Sequence, residues 1–195
     1  MGFTRAELES FRDSTVADLV GPGLRLLFVG INPGLWTAAT GTHFAHPGNR
    51  FYPALVRGGI IGQIDRTAEM TDSDRAHLMA SHLIERGIGI TNVVNRATAK
   101  ASELTPDELR AGGRQLRRFV AEHRPRVVAV AGITAYRVAF DDPKAHVGRQ
   151  PDLFEGSLLW IVPNPSGLNA HETVESLVAA YREPALAAGI VLNPS

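Results

Sequence analysis

The 195-residue chain holds enough apolar residues, 44%, for one full core and is too short for a second large domain. Its 20 basic and 20 acidic residues cancel, which argues against a grip on nucleic acid through bulk charge, and the absence of cysteine excludes disulfides, thiolate catalysis and Cys-based zinc sites. With no secretory leader pattern and no apolar run long enough to span a bilayer, the expectation is a cytoplasmic monomer with no membrane partner.

The acidic residues are unevenly spread. None occurs between Asp18 and Asp65 or between Glu85 and Glu103, and Ser157 to Ala170 carries no charge. These windows hold turns rich in Gly, Asn, Pro and His and suit a face that approaches a polyanion.

In chain order, Phe3, Leu8, Phe11, Val16 and Leu19 predict a loose, peripheral helix over residues 3–19, broken by Gly21-Pro22-Gly23. Leu26 to Val29 predicts a short buried strand, although so short a run also fits buried helix. Gly30 and Pro33-Gly34 end it and leave Asn32 in a turn at its carboxyl end. Residues 35–48 show no steady period and contain Trp36, His43, Phe44 and His46, which marks a binding loop. Asn49 is placed to cap a helix bearing Phe51, Tyr52, Leu55 and Val56, with Gly58-Gly59 at its end.

Residues 72–86 form the next helical pattern, with Asp72 or Ser73 as cap and Leu78, Met79, Leu83 and Ile84 as the buried stripe. Gly87 to Asn95 reads as a loop and short strand. Thr105-Pro106-Asp107-Glu108 is a capping-box start for a helix to about His123, in which Gly112-Gly113 is either a weak spot or a place of close approach. Residues 127–131 and 158–162 are two further buried strands. A short helix over 133–140 lies between them, and a last helix covers roughly 170–187.

Strands separated by helices predict a single domain, a three-layer α/β/α sandwich with a small, mostly parallel central sheet and residues 1–20 as a peripheral N-terminal helical segment. Two strands end in Asn-Pro turns, Asn32-Pro33 and Asn164-Pro165. In a parallel sheet both open on one edge, where such sheets bind ligands. On this pattern alone an ordinary turn, with Asn32 capping its own backbone, stays open. His43 and His46 at i,i+3 lack carboxylate partners within their loop, so neither a metal nor a cofactor is expected.

Five segments carry a family resemblance: Gly30-Ile-Asn-Pro-Gly-Leu35, Phe44-Ala-His-Pro-Gly-Asn-Arg-Phe51, Gly89-Ile-Thr-Asn-Val-Val-Asn-Arg96, Glu108-Leu-Arg-Ala-Gly-Gly113 and Pro163-Asn-Pro-Ser-Gly-Leu168. In this order and spacing the chain resembles the mismatch-specific uracil-DNA glycosylases, bacterial relatives of thymine-DNA glycosylase within the uracil-DNA glycosylase superfamily, over most of residues 24–182. The resemblance implies a base-excision-repair enzyme acting on double-stranded DNA. It would hydrolyse the N-glycosidic bond of uracil opposite guanine, with ethenocytosine or thymine as further substrates, and leave an abasic site in an uncut backbone.

By the same resemblance Asn32 is the catalytic amide that positions water. Gly30, Ile31, Phe44, Trp36, Thr37, Asn92 and Asn164 form the base pocket, with Phe44 stacking on the extruded base. Leu168 is the wedge in the DNA stack, flanked by Ser166, Gly167 and Asn169. His46, Arg50, Arg96 and Lys100 complete the strand contacts, with loop support as the competing role of His46 and a surface salt bridge that of Arg50.

Two positions depart from the best-known bacterial pattern. Asn92 replaces a lysine and matches the thymine-directed relatives, and Asn169-Ala170 replaces a Ser-Arg pair. Both bear on base range and product retention. Other readings are a superfamily glycosylase for thymine or hypoxanthine, a protein that holds flipped bases without cutting them, and a small nucleotide hydrolase, against which the missing P-loop counts.

Overall fold

The alternating apolar runs become strands because both faces of one sheet are covered. Leu26, Phe28, Val127 and Ala129 pack into one layer, and Leu27, Val29, Val128 and Val130 into the other. The computed structural model describes residues 2–63, 72–169 and 172–194. Strands β1 (Leu26–Gly30), β2 (Ile88–Asn92), β3 (Val127–Ala131) and β5 (Leu158–Val162) are parallel, and a two-residue β4 (Gly148–Arg149) pairs antiparallel with β5 at the edge. The order is β2-β1-β3-β5-β4.

On one face lie α3 (Phe51–Arg57) and α7 (Val174–Ala187), which bury Phe51, Leu55, Leu177 and Tyr181, together with Leu83 from α4 (Asp72–Glu85). On the other lie α5 (Pro106–His123) and α6 (Ile133–Phe140), with Leu116, Val120, Ala135 and Tyr136. Two short helices, α1 (Arg5–Glu9) and α2 (Leu35–Thr40), pack against each other beside the carboxyl edge of the sheet. The sandwich expected from the sequence is the fold observed.

Helix α5 begins as its capping box dictates. The Thr105 hydroxyl accepts the Glu108 N–H at 3.2 Å, and the Glu108 carboxylate accepts the Thr105 N–H at 2.8 Å. Its glycine pair is a place of close approach. A Cβ on Gly112 would stand 2.1 Å from the Val93 carbonyl oxygen, and one on Gly113 2.4 Å from that of Ala139. The turn after β2 therefore rests directly on the α5 backbone.

Three local expectations change. Only α1 of residues 3–19 is helical; after Asp13, at φ 64°, the backbone groups of Asp13, Ser14 and Leu19 pair with Ala97 and Ile90. These long-range bonds outweigh a weak helical period. Residues 35–40 form α2 rather than loop, stopped by Gly41 in the left-handed region, a helix too short to show a stripe. The Asn49 amide accepts the Phe51 N–H at 2.9 Å, although Arg50 is the residue at the helix boundary.

The expected caps Asp72 and Ser73 have side chains outside the described residues, as do residues 170 and 171 of the last predicted helix, which starts at Val174 after a Thr173 cap. The short β4 has no sequence signal, since two residues cannot show a period. Gly112→Ala should cost about 1–3 kcal/mol of unfolding free energy by denaturant titration, because α5 and the Val93 turn must separate. Gly34→Ala, whose added methyl meets nothing within 4 Å, should stay within about 0.5 kcal/mol of the parent.

Candidate active site

The chain leaves β1 for β2 on one side and later returns to β3 on the other, so the carboxyl ends of β1 and β3 face a topological switch point. Turns from β1, β2, β3 and β5 surround a cleft of about 1110 Å³ there. Ile31, Asn32, Asn92, Gly132 and Asn164 all line it. Gly132, at φ 108°, is a junction: a Cβ there would lie 3.1 Å from Ile31 Cδ1. A side chain there would be strained by the positive φ and would displace the Ile31 side chain.

The Asn32 amide is fixed through its nitrogen. Nδ2 donates to the Arg96 carbonyl at 2.8 Å, to the Thr98 hydroxyl at 2.7 Å and to the Pro33 carbonyl at 3.2 Å. Thr98 passes its own proton to the Lys100 carbonyl at 2.9 Å, so it can only accept from Asn32. Turning the amide over would set its oxygen against two carbonyl oxygens. Asn32 Oδ1 is left as an acceptor with no hydrogen bond among the described residues.

A second amide is oriented by a histidine. His43 is buried, and burial holds its pKa below the ordinary value despite the Ala17 carbonyl and nearby Asp18. Its Nε2 donates to the Ala17 carbonyl at 2.9 Å, which leaves Nδ1 of the neutral ring to accept from Asn92 Nδ2 at 3.4 Å. Asn92 Oδ1 then turns toward Gly30, 2.5 Å from where a Cβ would be; Phe44 Cζ lies 3.4 Å from that point. Glycine at position 30 is what lets amide and ring converge. Phe44 itself stacks on Phe51, with ring centroids 4.2 Å apart, in a left-handed conformation at φ 57°.

The third amide opens the turn after β5. Asn164 Oδ1 accepts the Ser166 N–H at 3.0 Å, which leaves its Nδ2 as donor. The turn closes through Asn169 N–H to the Ser166 carbonyl at 2.9 Å and leaves Leu168 80% exposed. Arg50 holds this turn from below, donating to the Ser166 and Asn169 carbonyls at 3.3 and 3.0 Å. A Cβ on Gly167 would be 2.6 Å from the Gly48 carbonyl, so the loops of His46 and Leu168 touch.

Most of the residues singled out from the sequence line this cleft: Ile31, Asn32, Trp36, Thr37, Phe44, His46, Asn92, Lys100, Asn164, Ser166, Gly167, Leu168 and Asn169. Gly30 acts from behind it. Arg50 and Arg96 are absent from the lining and are engaged in the protein, Arg96 with Asp13 and Glu108 at 2.7 Å each. Those bonds, with the Thr105 N–H, hold the Glu108 carboxyl down at about 2. Trp36 meets Phe3 and His46 edge-on, at 5.2 and 5.8 Å. His46 Nδ1 accepts the Gly48 N–H at 3.0 Å, a bond within its own loop.

Sequence reasoning passed over Thr98 and Gly132, and it placed His43 in the binding loop without its role in orienting Asn92. A threonine two residues after an arginine carries no motif, and the tautomer of His43 depends on a carbonyl 26 positions away. Among the described residues no three His, Asp or Glu side chains gather as metal ligands, and Glu172 is the one carboxylate in the cleft lining.

An open, mostly parallel sheet thus carries three oriented amides at its switch point, an α/β architecture with a polar cleft at the strand ends. Residues 17–185 match the Uracil DNA glycosylase superfamily, and the chain belongs to that family. Its fold is similar to the solution NMR structure of a candidate uracil DNA glycosylase from Methanosarcina acetivorans, with 17% identity, a TM-score of 0.55, and coverage of 87% of this chain and 96% of that one.

Because burial lowers the His43 pKa, the unfolded chain binds that proton more readily than the folded one. Stability should therefore be complete above the ordinary histidine value of 6.5 and fall as the pH drops through the folded value. Urea titrations from pH 7.5 to about 5 should show this slope, and His43→Gln should remove it. The contribution of Glu108 is complete above 4.5 and is lost as the pH falls from there toward about 2, outside this window.

Proposed function

We propose that this protein is a monofunctional, mismatch-directed uracil-DNA glycosylase. It hydrolyses the N-glycosidic bond of uracil opposite guanine in double-stranded DNA, accepts ethenocytosine or thymine as further bases, and leaves an abasic site for base excision repair. The observation that carries the reading is the Asn32 amide, anchored by its nitrogen with Oδ1 left to receive a proton of water.

The target nucleotide leaves the stack to reach the cleft, and Leu168 fills the gap from its exposed turn. The base stacks on Phe44. Asn92 Oδ1 accepts from a base N–H, and Asn164 Nδ2 donates to a base carbonyl. The C1′–N bond breaks with its electron pair departing on the base, and that Asn164 bond strengthens as charge grows on the carbonyl oxygen. Water held by Asn32 Oδ1 forms the new C–O bond at C1′ and loses its proton to solvent, while the base anion takes one from solvent. An amide has no basicity to offer, so Asn32 supplies orientation, which suffices for a sugar with oxocarbenium character.

Ser166, Gly167, Asn169, His46 and Lys100 face the strands, and Arg50 and Arg96 support the turns that do so. The enzyme works as a monomer on cytoplasmic DNA without a cofactor. Single-turnover assays on U·G, T·G, ethenocytosine·G and hypoxanthine·T duplexes and on single-stranded uracil DNA test this. Asn32→Ala should slow base release by at least about 100-fold with little change in DNA affinity; equal cleavage overturns the assignment. Leu168→Ala should slow duplex cleavage and affect single-stranded substrate least. Binding of U·G duplex by the parent without release of uracil would establish a protein that holds flipped bases instead.

A further inference from the structure

The anchors of Asn32 lie on the loop after β2, and that loop is held from outside the family region. Residues 2–16 precede the matched stretch of 17–185. Yet the Asp13 N–H donates to the Ala97 carbonyl at 3.0 Å, and the Ala97 N–H donates to the Ser14 carbonyl at 2.9 Å. Asn95 acts as a surrogate strand residue: its Oδ1 accepts the Val16 N–H at 3.1 Å and its Nδ2 donates to the Val16 carbonyl at 2.8 Å. The Arg96 carbonyl that holds Asn32 sits between these two clamped residues. The Arg96 side chain is fixed at its far end by Asp13 on the N-terminal segment and by Glu108 on α5.

The same segment continues the clamp toward the base pocket. Ala17 receives the His43 bond, the Asp18 carboxylate accepts the Thr91 hydroxyl at 2.6 Å, and Leu19 pairs with Ile90 through bonds of 2.9 and 2.8 Å. On its other side the loop rests on Gly112. Neither support alone encloses it. Residues 92–98 are thus gripped between a helix that the family region includes and a strap that begins outside it.

We infer that residues 13–16 form a positioning strap for catalysis, with Asn95 and Asp13 as positioning residues that act on Asn32 through the Arg96 carbonyl and Thr98. An amide that works by orientation alone depends on such a strap, because a displacement of about 1 Å at a reacting centre costs about 100-fold in rate. The kinetic part of the inference rests on the proposed glycosylase reaction; the anchoring part does not.

Asn95→Ala removes both bonds to Val16 at an exposed position, and Asp13→Asn removes the charge that faces Arg96 while keeping a residue type that tolerates positive φ. In the full chain, NMR exchange of the Asn32 side-chain amide protons and of the Ala97 N–H should quicken by about tenfold in Asn95→Ala, less in Asp13→Asn, with the midpoint of thermal unfolding lowered by no more than about 4 °C. Single-turnover release of uracil should fall by about tenfold with DNA affinity within about twofold, and Asn95→Ala should add less than about twofold in an Asn32→Ala background.

Unchanged exchange at Asn32 in both variants overturns the strap whatever the activity. Faster exchange with an unaltered rate, or an equal rate loss in the Asn32→Ala background, overturns its catalytic part. A parent protein that releases no base, with exchange at Asn32 still responding, refutes the glycosylase reading and leaves the anchoring intact.

Discussion

The nitrogen of the Asn32 side chain faces three oxygens, and the rest of the site is arranged so that they stay in place. Two belong to the loop after β2 and one to the Asn32 turn itself. An amide is symmetric in shape and asymmetric in chemistry, so its acceptors decide which end meets the ligand. His43 makes that decision for Asn92 and the Ser166 N–H makes it for Asn164. The three side chains alone would be an undirected set of donors and acceptors.

Such control needs strand ends that do not shift relative to one another. Parallel pairing of β1 with both β2 and β3 sets the turns side by side, and the ladder runs past its formal end through Val93 N–H to the Gly30 carbonyl and Val94 N–H to the Ile31 carbonyl. Glycine at 112 lets α5 reach the Val93 turn, and glycines at 30 and 132 leave room for the Asn92 amide and the Ile31 side chain. Among the described residues the lining of the cleft carries few charged side chains, Lys100 and Glu172.

The parts legible in the sequence depend on neighbours close along the chain. Apolar runs marked the three central strands, Thr105 through Glu108 marked the start of α5, and the two Asn-Pro turns marked the edge at which the cleft lies. What escaped depends on distant partners. Arg50 and Arg96 carry charges that suit phosphate, but carbonyls 116 and 119 positions away engage the first, and Asp13, 83 positions away, engages the second. The extended course of residues 13–19 was hidden for the same reason: its hydrogen-bond partners lie on a loop that sequence spacing cannot bring near.

Phe44 is continuous with the centre of the molecule, since Phe51 beneath it meets Phe28 edge-on at 5.1 Å and Tyr181 at 6.0 Å. Its opposite neighbour, the Leu168 turn, is tied by a few hydrogen bonds and projects into solvent. The two sides of the cleft therefore differ in compliance. Displacing the Phe44 ring requires repacking of the core, whereas displacing the Leu168 turn breaks only local hydrogen bonds. Substitutions on the Leu168 side can therefore accumulate without disturbing the core, while those at Phe44 cannot.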